Sequence, residues 1–311
     1  MAAPMAAAMG AAPSRFRIWY QAVRFFSFTA SVIPIAAGGA LAFADRRFDP
    51  LLFAIMVVAG VATHAGCNLA NDYYDHKKGI DTEESLGPSK VIQQGLLTPG
   101  DVKRGMLVAF AIATVLGVIV VAQTGWPILA LALASLAAAY LYTGGPKPLG
   151  YIALGEATVF VFMGLGMVMG SYYALAGRLT GSAFLVAMPI GLIVAAILHA
   201  NNIRDIPDDA AAGKVTLATL LGRRGANIEF AVLTYGAYAG VVALVASDPR
   251  LWPVVITAAT IPVALRVNRL AFSPAMRVEL NPLVRRTAGL HLRFGALMTA
   301  GLVAAAILER I

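Results

Sequence analysis

Two short stretches of the chain hold the residues best suited to chemistry. The first runs from Asn68 to Asp81 and carries Asn68, Asn71, Asp72, Asp75 and Asp81, with Tyr73, Tyr74, His76, Lys77 and Lys78 among them. Asn68 and Asp72 are four apart and Asp72 and Asp75 three apart, so on a helix the three share one face. Gly79 is expected to end that helix and let the chain turn back to Asp81. The second stretch runs from Asn201 to Asp209 and carries Asn201, Asn202, Arg204, Asp205, Asp208 and Asp209. Asn201, Asp205 and Asp209 follow at intervals of four. Pro207 complicates the series, because proline lacks a backbone donor and disfavours helix at Ile206. Asp208 and Asp209 then fall on a separate turn, and the pattern leaves open which of them faces the site.

These two stretches hold six of the 16 acidic residues of the chain. Left alone, such carboxylates repel one another and are costly to desolvate near a bilayer. Divalent cations relieve both problems, and hard oxygen donors without a His or Cys cluster favour magnesium over zinc. Basic residues are interleaved with them: Lys77, Lys78, Lys90, Arg204 and Lys214. Magnesium is usually held by one or two carboxylates together with phosphate oxygens of a substrate, and basic groups take the remaining phosphate charge. The combination points to a substrate with a diphosphate head and an apolar tail. Solvated helix ends are the plain alternative for either motif alone; two motifs with matching Asn-rich lead-ins argue against it.

The elements that must position these residues are membrane spans. The chain has 311 residues, of which 59% are hydrophobic and only 13% charged, and a mean hydropathy of +0.76. Soluble domains carry about a quarter charged residues, so this surface must face lipid. Apolar runs of about 17–25 residues mark spanning helices. Nine are expected, at 24–44, 51–72, 101–122, 126–143, 154–176, 183–203, 226–246, 252–272 and 288–309. Residues 1–13 read as a flexible tail without a cleavable signal, and 14–311 as one transmembrane domain. With nine spans, both motifs emerge on the side of the N-terminus. That side carries 19 of the 24 Lys and Arg residues and the other side 5. The asymmetry places the motif side in the cytoplasm and the protein in the cell membrane. The basic residues lie in short loops, which argues against nucleic acid as a partner.

The two motifs resemble the paired aspartate motifs of the UbiA superfamily of intramembrane prenyltransferases. Residues 71–81 match the first and 201–209, followed by 213–217, the second. The Lys78–Asp81 ending, the stretches 87–95 and 142–146, and Leu154-Gly155-Glu156 resemble the menaquinone-pathway branch of that superfamily. Departures are Pro207 within the second motif and Ala210 where an Arg is common. The resemblance implies two four-helix halves around a central cavity with a ninth helix added. Spans two and six occupy equivalent places in those halves, a weak internal repeat. It also implies Mg²⁺-dependent transfer of a polyprenyl group from polyprenyl diphosphate to an aromatic acceptor. For the menaquinone-pathway branch that acceptor is 1,4-dihydroxy-2-naphthoate, prenylated with decarboxylation.

On that reading the catalytic carboxylates are Asp72, Asp75, Asp81, Asp205 and Asp209. The metal is held by Asp72, Asp75, Asp205 and Asp209 with Asn68 and Asn201, and Asn71 is a further candidate for completing the shell or orienting carboxylates. Asn68, Lys78, Lys90, Arg204 and Lys214 contact the diphosphate. Tyr73, Tyr74 and Tyr142 are candidates to shield the allylic cation, each with an interfacial role as its alternative. Glu156 is a candidate base or an interfacial acid, and Lys147 a diphosphate ligand or plain positive-inside charge. His64, His199 and Cys67 read as packing residues, and no spacing suggests a zinc site. Rival readings are a prenyltransferase with another acceptor, an ion- or phosphate-coupled transporter, and a membrane scaffold. Transporter sites usually lie near the bilayer midplane, whereas these acids follow span ends. Prenyl length and oligomeric state are not encoded in these patterns.

Overall fold

A computed structural model describes residues 13–77, 89–143 and 147–310. These residues are almost entirely helical. In chain order the α-helices are α1 (Arg15–Ala22), α2 (Thr29–Ala44), α3 (Pro50–Lys77), α4 (Pro99–Thr124), α5 (Trp126–Thr143), α6 (Gly155–Val159), α7 (Met167–Ala176), α8 (Gly181–Ala211), α9 (Leu217–Ser247), α10 (Ile261–Ala271) and α11 (Asn281–Leu308). A π-helical stretch, Phe160–Gly166, joins α6 to α7, and a 3₁₀ helix, Pro249–Thr260, leads into α10. Eight helical segments among the described residues are long and apolar enough to cross a membrane. The expected fourth span falls on α5, a shorter apolar helix, so the count is eight spans plus this one.

Contacts group the chain into two compact units. One comprises residues up to Phe28 together with Ala62–Ala113. Its core is Ala22, Leu69, Val91, Ile92, Val102 and Met106, with Trp19 and Phe110 packed against it. It therefore contains α1, the motif end of α3 and the first half of α4. The other unit comprises Thr29–Val61 and Thr114–Ile311. Its centre is α8, which packs mainly on α9 and also meets α11, α2 and the π-helical stretch. Ile190, Ile193, Phe230, Leu283 and Phe294 are fully buried there.

Local sequence explains the ends that matter for the site. Thr180 caps α8, its Oγ1 accepting from the Ala183 N–H at 3.1 Å. Thr216 caps α9 reciprocally with Thr219. Gly213, at φ +68°, supplies the left-handed turn between these helices. Contrary to the break expected at Pro207, α8 continues to Ala211. The proline removes one donor close to the helix end and leaves the later residues in register. Gly164 and Gly191 let the π-helical stretch and α8 approach backbone to backbone, since a Cβ at Gly164 would run into the Cα of Gly191.

Candidate active site

The first motif rides on the last turns of α3, which continues past the expected span end at 72 to Lys77. The predicted face is present: Asn68 and Asp72 are buried and Asp75 is half-buried, whereas Asn71 and Tyr74 are exposed. Asn68 Nδ2 donates to the Val23 carbonyl at 2.8 Å and to Ser27 Oγ at 3.1 Å. This clamps the turn after α1 onto α3. Within that turn Arg24 adopts φ +53° and forms an ion pair with Asp72. Asp72 Oδ2 is buried with no hydrogen-bond partner among the described residues. Arg24 is the first residue of the expected span 24–44, and nothing in the local sequence marks Asp72 as its partner. Tyr73 packs against the core of this unit, edge-on to Tyr74 at 5.2 Å between ring centres. Lys90 lies in the same unit, at φ +55°. Lys78 and Asp81 fall outside the described residues.

The second motif occupies the end of α8 in the other unit. Arg204 folds back on its neighbour with both carboxylate oxygens of Asp205 engaged, at 2.6 and 2.7 Å, and also donates to Asn281 Oδ1 at 3.2 Å. Asp209 is 8% exposed and accepts from Lys214 Nζ at 3.1 and 3.3 Å. Asp208 has a side chain 47% exposed and pairs with Arg277 at 3.1 Å. Because α8 is continuous, Asp205 and Asp209 are one turn apart on one face, and Asp208 points away to the segment before α11. Asn201 is half-buried and Asn202 buried.

The α8–α9 connection is bonded to the turn before α6. Ala153 N–H donates to the Val215 carbonyl at 2.9 Å, and Val215 N–H to the Tyr151 carbonyl at 3.3 Å. Lys214 Nζ consequently lies 5.7 Å from the centre of the Tyr151 ring. Tyr151 is another residue that the motif reading passed over, because only this loop pairing brings it near. Tyr142 packs over Gly150 with its hydroxyl toward Gly155. Lys147 is exposed at the start of the same turn. Glu156 lies inside at 3% exposure, accepting from Asn202 and contacting His199, both at 2.8 Å. Its partners, Asn202 and His199, are both on α8.

In every described pairing of the two motifs a carboxylate is matched by a cation from nearby: Asp72 with Arg24, Asp205 with Arg204, Asp208 with Arg277, Asp209 with Lys214. The donors are hard oxygens, and Asp72 has an oxygen to spare. Within each unit, such groups suit a divalent cation on the carboxylates with phosphate oxygens on the cations.

An all-helical multi-pass membrane protein with polar motifs at its helix ends is the class that fold and site define. The family model for the UbiA prenyltransferase family matches residues 31–281, and the chain belongs to that family. It is 33% identical over 290 residues to a 1,4-dihydroxy-2-naphthoate octaprenyltransferase of Bacillus subtilis (strain 168), covering 92% of each chain. It is 34% identical over 290 residues to the 1,4-dihydroxy-2-naphthoate octaprenyltransferase of Mycobacterium tuberculosis, covering 93% of this chain and 97% of that one. Its fold matches a UbiA homolog from Archaeoglobus fulgidus bound to GPP and Mg²⁺, with a TM-score of 0.67, 12% identity, and coverage of 93% of this chain and 99% of that one.

Proposed function

We propose that this prenyltransferase transfers a polyprenyl group from polyprenyl diphosphate to 1,4-dihydroxy-2-naphthoate with loss of carbon dioxide, forming demethylmenaquinol. The observation that carries the acceptor is that relatives named for it align with more than nine-tenths of the chain. The chemistry is supported by the ion-paired carboxylates of the two motifs.

Asp72, Asp75, Asp205 and Asp209, with Asn68 and Asn201, are the residues that would hold Mg²⁺; Asp81 joins the catalytic carboxylates. When bound, Mg²⁺ supplies neutralisation of the charge that grows on the departing diphosphate. Arg204 and Lys214 already stand beside the carboxylates, and with Lys78 and Lys90 they hold phosphate oxygens. The allylic C–O bond breaks and its electron pair leaves with the diphosphate. The ring carbon bearing the carboxylate forms the new C–C bond. That carboxylate then leaves as carbon dioxide, and the pair from the broken bond restores the aromatic ring. Tyr73, Tyr74 and Tyr142 offer π-faces to the allylic cation. Lys147 would add a further positive charge for the diphosphate. Glu156 acts behind it, fixing Asn202 beside Asn201.

Residues 14–311 work as one transmembrane domain behind a tail of residues 1–13; the family match running through both compact units supports this. With α5 taken as a ninth crossing, the charge asymmetry favours a cell-membrane protein with its site on the cytoplasmic face.

The test is purified protein with radiolabelled polyprenyl diphosphate, Mg²⁺ and 1,4-dihydroxy-2-naphthoate, with and without EDTA, beside Asp72→Ala. A prenylated, decarboxylated naphthoquinol that requires both metal and Asp72 is expected. Prenylation of a different aromatic acid alone would move the acceptor. No reaction with any prenyl diphosphate would overturn the proposal.

A further inference from the structure

A second polar cluster lies on α8 before its aspartates; it touches the second motif only through Asn202 and includes none of the residues proposed to hold Mg²⁺. His199 is fully buried. Its Nε2 is 2.8 Å from the Ala226 carbonyl oxygen. A carbonyl only accepts, so Nε2 carries the hydrogen and donates it. In the neutral ring, Nδ1 then presents a lone pair, and it faces Glu156 Oε1 at 2.8 Å. Two acceptors meet there unless something positive lies against them. Asn202 Nδ2 donates to the same Oε1 at 2.8 Å, and Glu156 Oε2 is buried without a hydrogen-bond partner among the described residues. Glu229 of α9 adds a second carboxylate. Its Oε2 is 3.6 Å from His199 Nε2 and is likewise buried with no hydrogen bond among the described residues.

Two carboxylates with orphaned oxygens around one imidazole form a buried site short of positive charge, and such sites are costly when left uncompensated. One ligand atom from each of Glu156, His199 and Glu229 lies within 4.8 Å of the other two. With bonds of about 2.0–2.2 Å, donors on one tetrahedral ion stand about 3.5 Å apart, so the Glu229 carboxylate must swing from the Nε2 edge of the ring, where it now lies, toward Nδ1 to share an ion with Glu156. An imidazole whose far N–H is held by a backbone carbonyl is also how metal-bound histidines are commonly oriented. Mixed nitrogen and oxygen donors favour a transition-metal ion over magnesium, which prefers oxygen alone.

We propose that Glu156, His199 and Glu229 bind a divalent transition-metal cation at a site separate from the aspartate motifs. The ion would tie α6, α8 and α9 together, with His199 two residues before Asn201 and six before Asp205 on α8. Access is from the side of Glu229, whose side chain is 19% exposed, against 4% for Glu156 and 0% for His199.

The test uses tag-free full-length protein loaded with Mn²⁺ alone, without prenyl diphosphate, read by pulsed electron paramagnetic resonance and by metal content. Mn²⁺ on the aspartates has oxygen ligands, so a directly coordinated imidazole nitrogen reports the proposed site. That nitrogen coupling is expected in the native chain and is lost in His199→Gln. Glu229→Gln is expected to lower bound manganese by one equivalent, which keeps the test decisive should His199→Gln fail to fold. Absence of nitrogen coupling, coupling that persists in His199→Gln, or an unchanged manganese count in Glu229→Gln would overturn the proposal. In those cases a proton supplies the missing charge. Prenyl transfer is not read, so the outcome is independent of the reaction proposed above.

Discussion

At the scale of single residues, neighbouring acids differ in what surrounds them. Asp209 is buried against Lys214, and Asp208 is exposed against Arg277. Asp209→Asn is expected to lower kcat/KM by about 10²-fold or more, the usual cost of removing an electrostatic group from an active site. Asp208→Asn is expected to stay within a few-fold, because exposed ion pairs are worth about 1 kcal/mol or less. Steady-state kinetics on the two variants checks both; equal losses would mean that Asp208 also reaches the site. Arg24 gives a different kind of prediction. Arg24→Ala leaves the buried Asp72 carboxylate unpaired, at a cost of about 3–5 kcal/mol. The melting temperature in detergent should fall, and millimolar Mg²⁺ should recover more of it in this variant than in the native chain. A drop that Mg²⁺ leaves untouched would argue against Asp72 as a ligand.

At the scale of elements, α8 carries most of the burden. It bears the second motif, packs against α9 and α11, and meets the π-helical stretch where Gly164 and Gly191 touch. Any side chain there must push the helices apart. Gly191→Leu is expected to destabilise the fold by about 1–3 kcal/mol through overpacking, measured as a lower denaturation midpoint in SDS. Gly289, which has open space around the position of a Cβ, is the control. Gly289→Leu should leave the midpoint nearly unchanged. The interruption expected from Pro207 did not occur because tertiary contacts outweigh local propensity here. The flanking Ile203 is buried in the core of the unit, and the residues after the proline are fastened through Asp208, Asp209 and Lys214.

At the scale of the whole molecule, the charge asymmetry makes a topological prediction. Cys67 is the single cysteine. In a Cys67→Ala background, Arg178→Cys is expected to react with a membrane-impermeant maleimide applied to spheroplasts. Lys103→Cys should react only after permeabilisation. The reverse pattern would place the site on the outer face. Ligand binding should also register globally. Mg²⁺ with a polyprenyl diphosphate at about 100 times its Kd should stabilise the folded state by about 2.7 kcal/mol, and this shift should be absent in Asp72→Ala.

Much of the protein was determined by properties that travel with short segments. Apolar runs set the spans, since the bilayer requires length and hydrophobicity without reference to any partner. Spacings of three and four put Asn68, Asp72 and Asp75 on one face, since the helix repeat is local. The motif residue types were enough to indicate magnesium and diphosphate. What only the tertiary structure decided depends on residues brought together from far along the chain. Arg24 reaches Asp72 across 48 positions, and Glu156 reaches His199 across 43. No spacing rule marks such pairs, because their proximity is set by which helix faces pack together. The different surroundings of Asp208 and Asp209 are of the same kind. Both are acids near a helix end, and burial separates them only after α8 has packed and the loop carrying Lys214 has been tied to the turn before α6. Local patterns named the chemistry, and long-range packing assigned its partners.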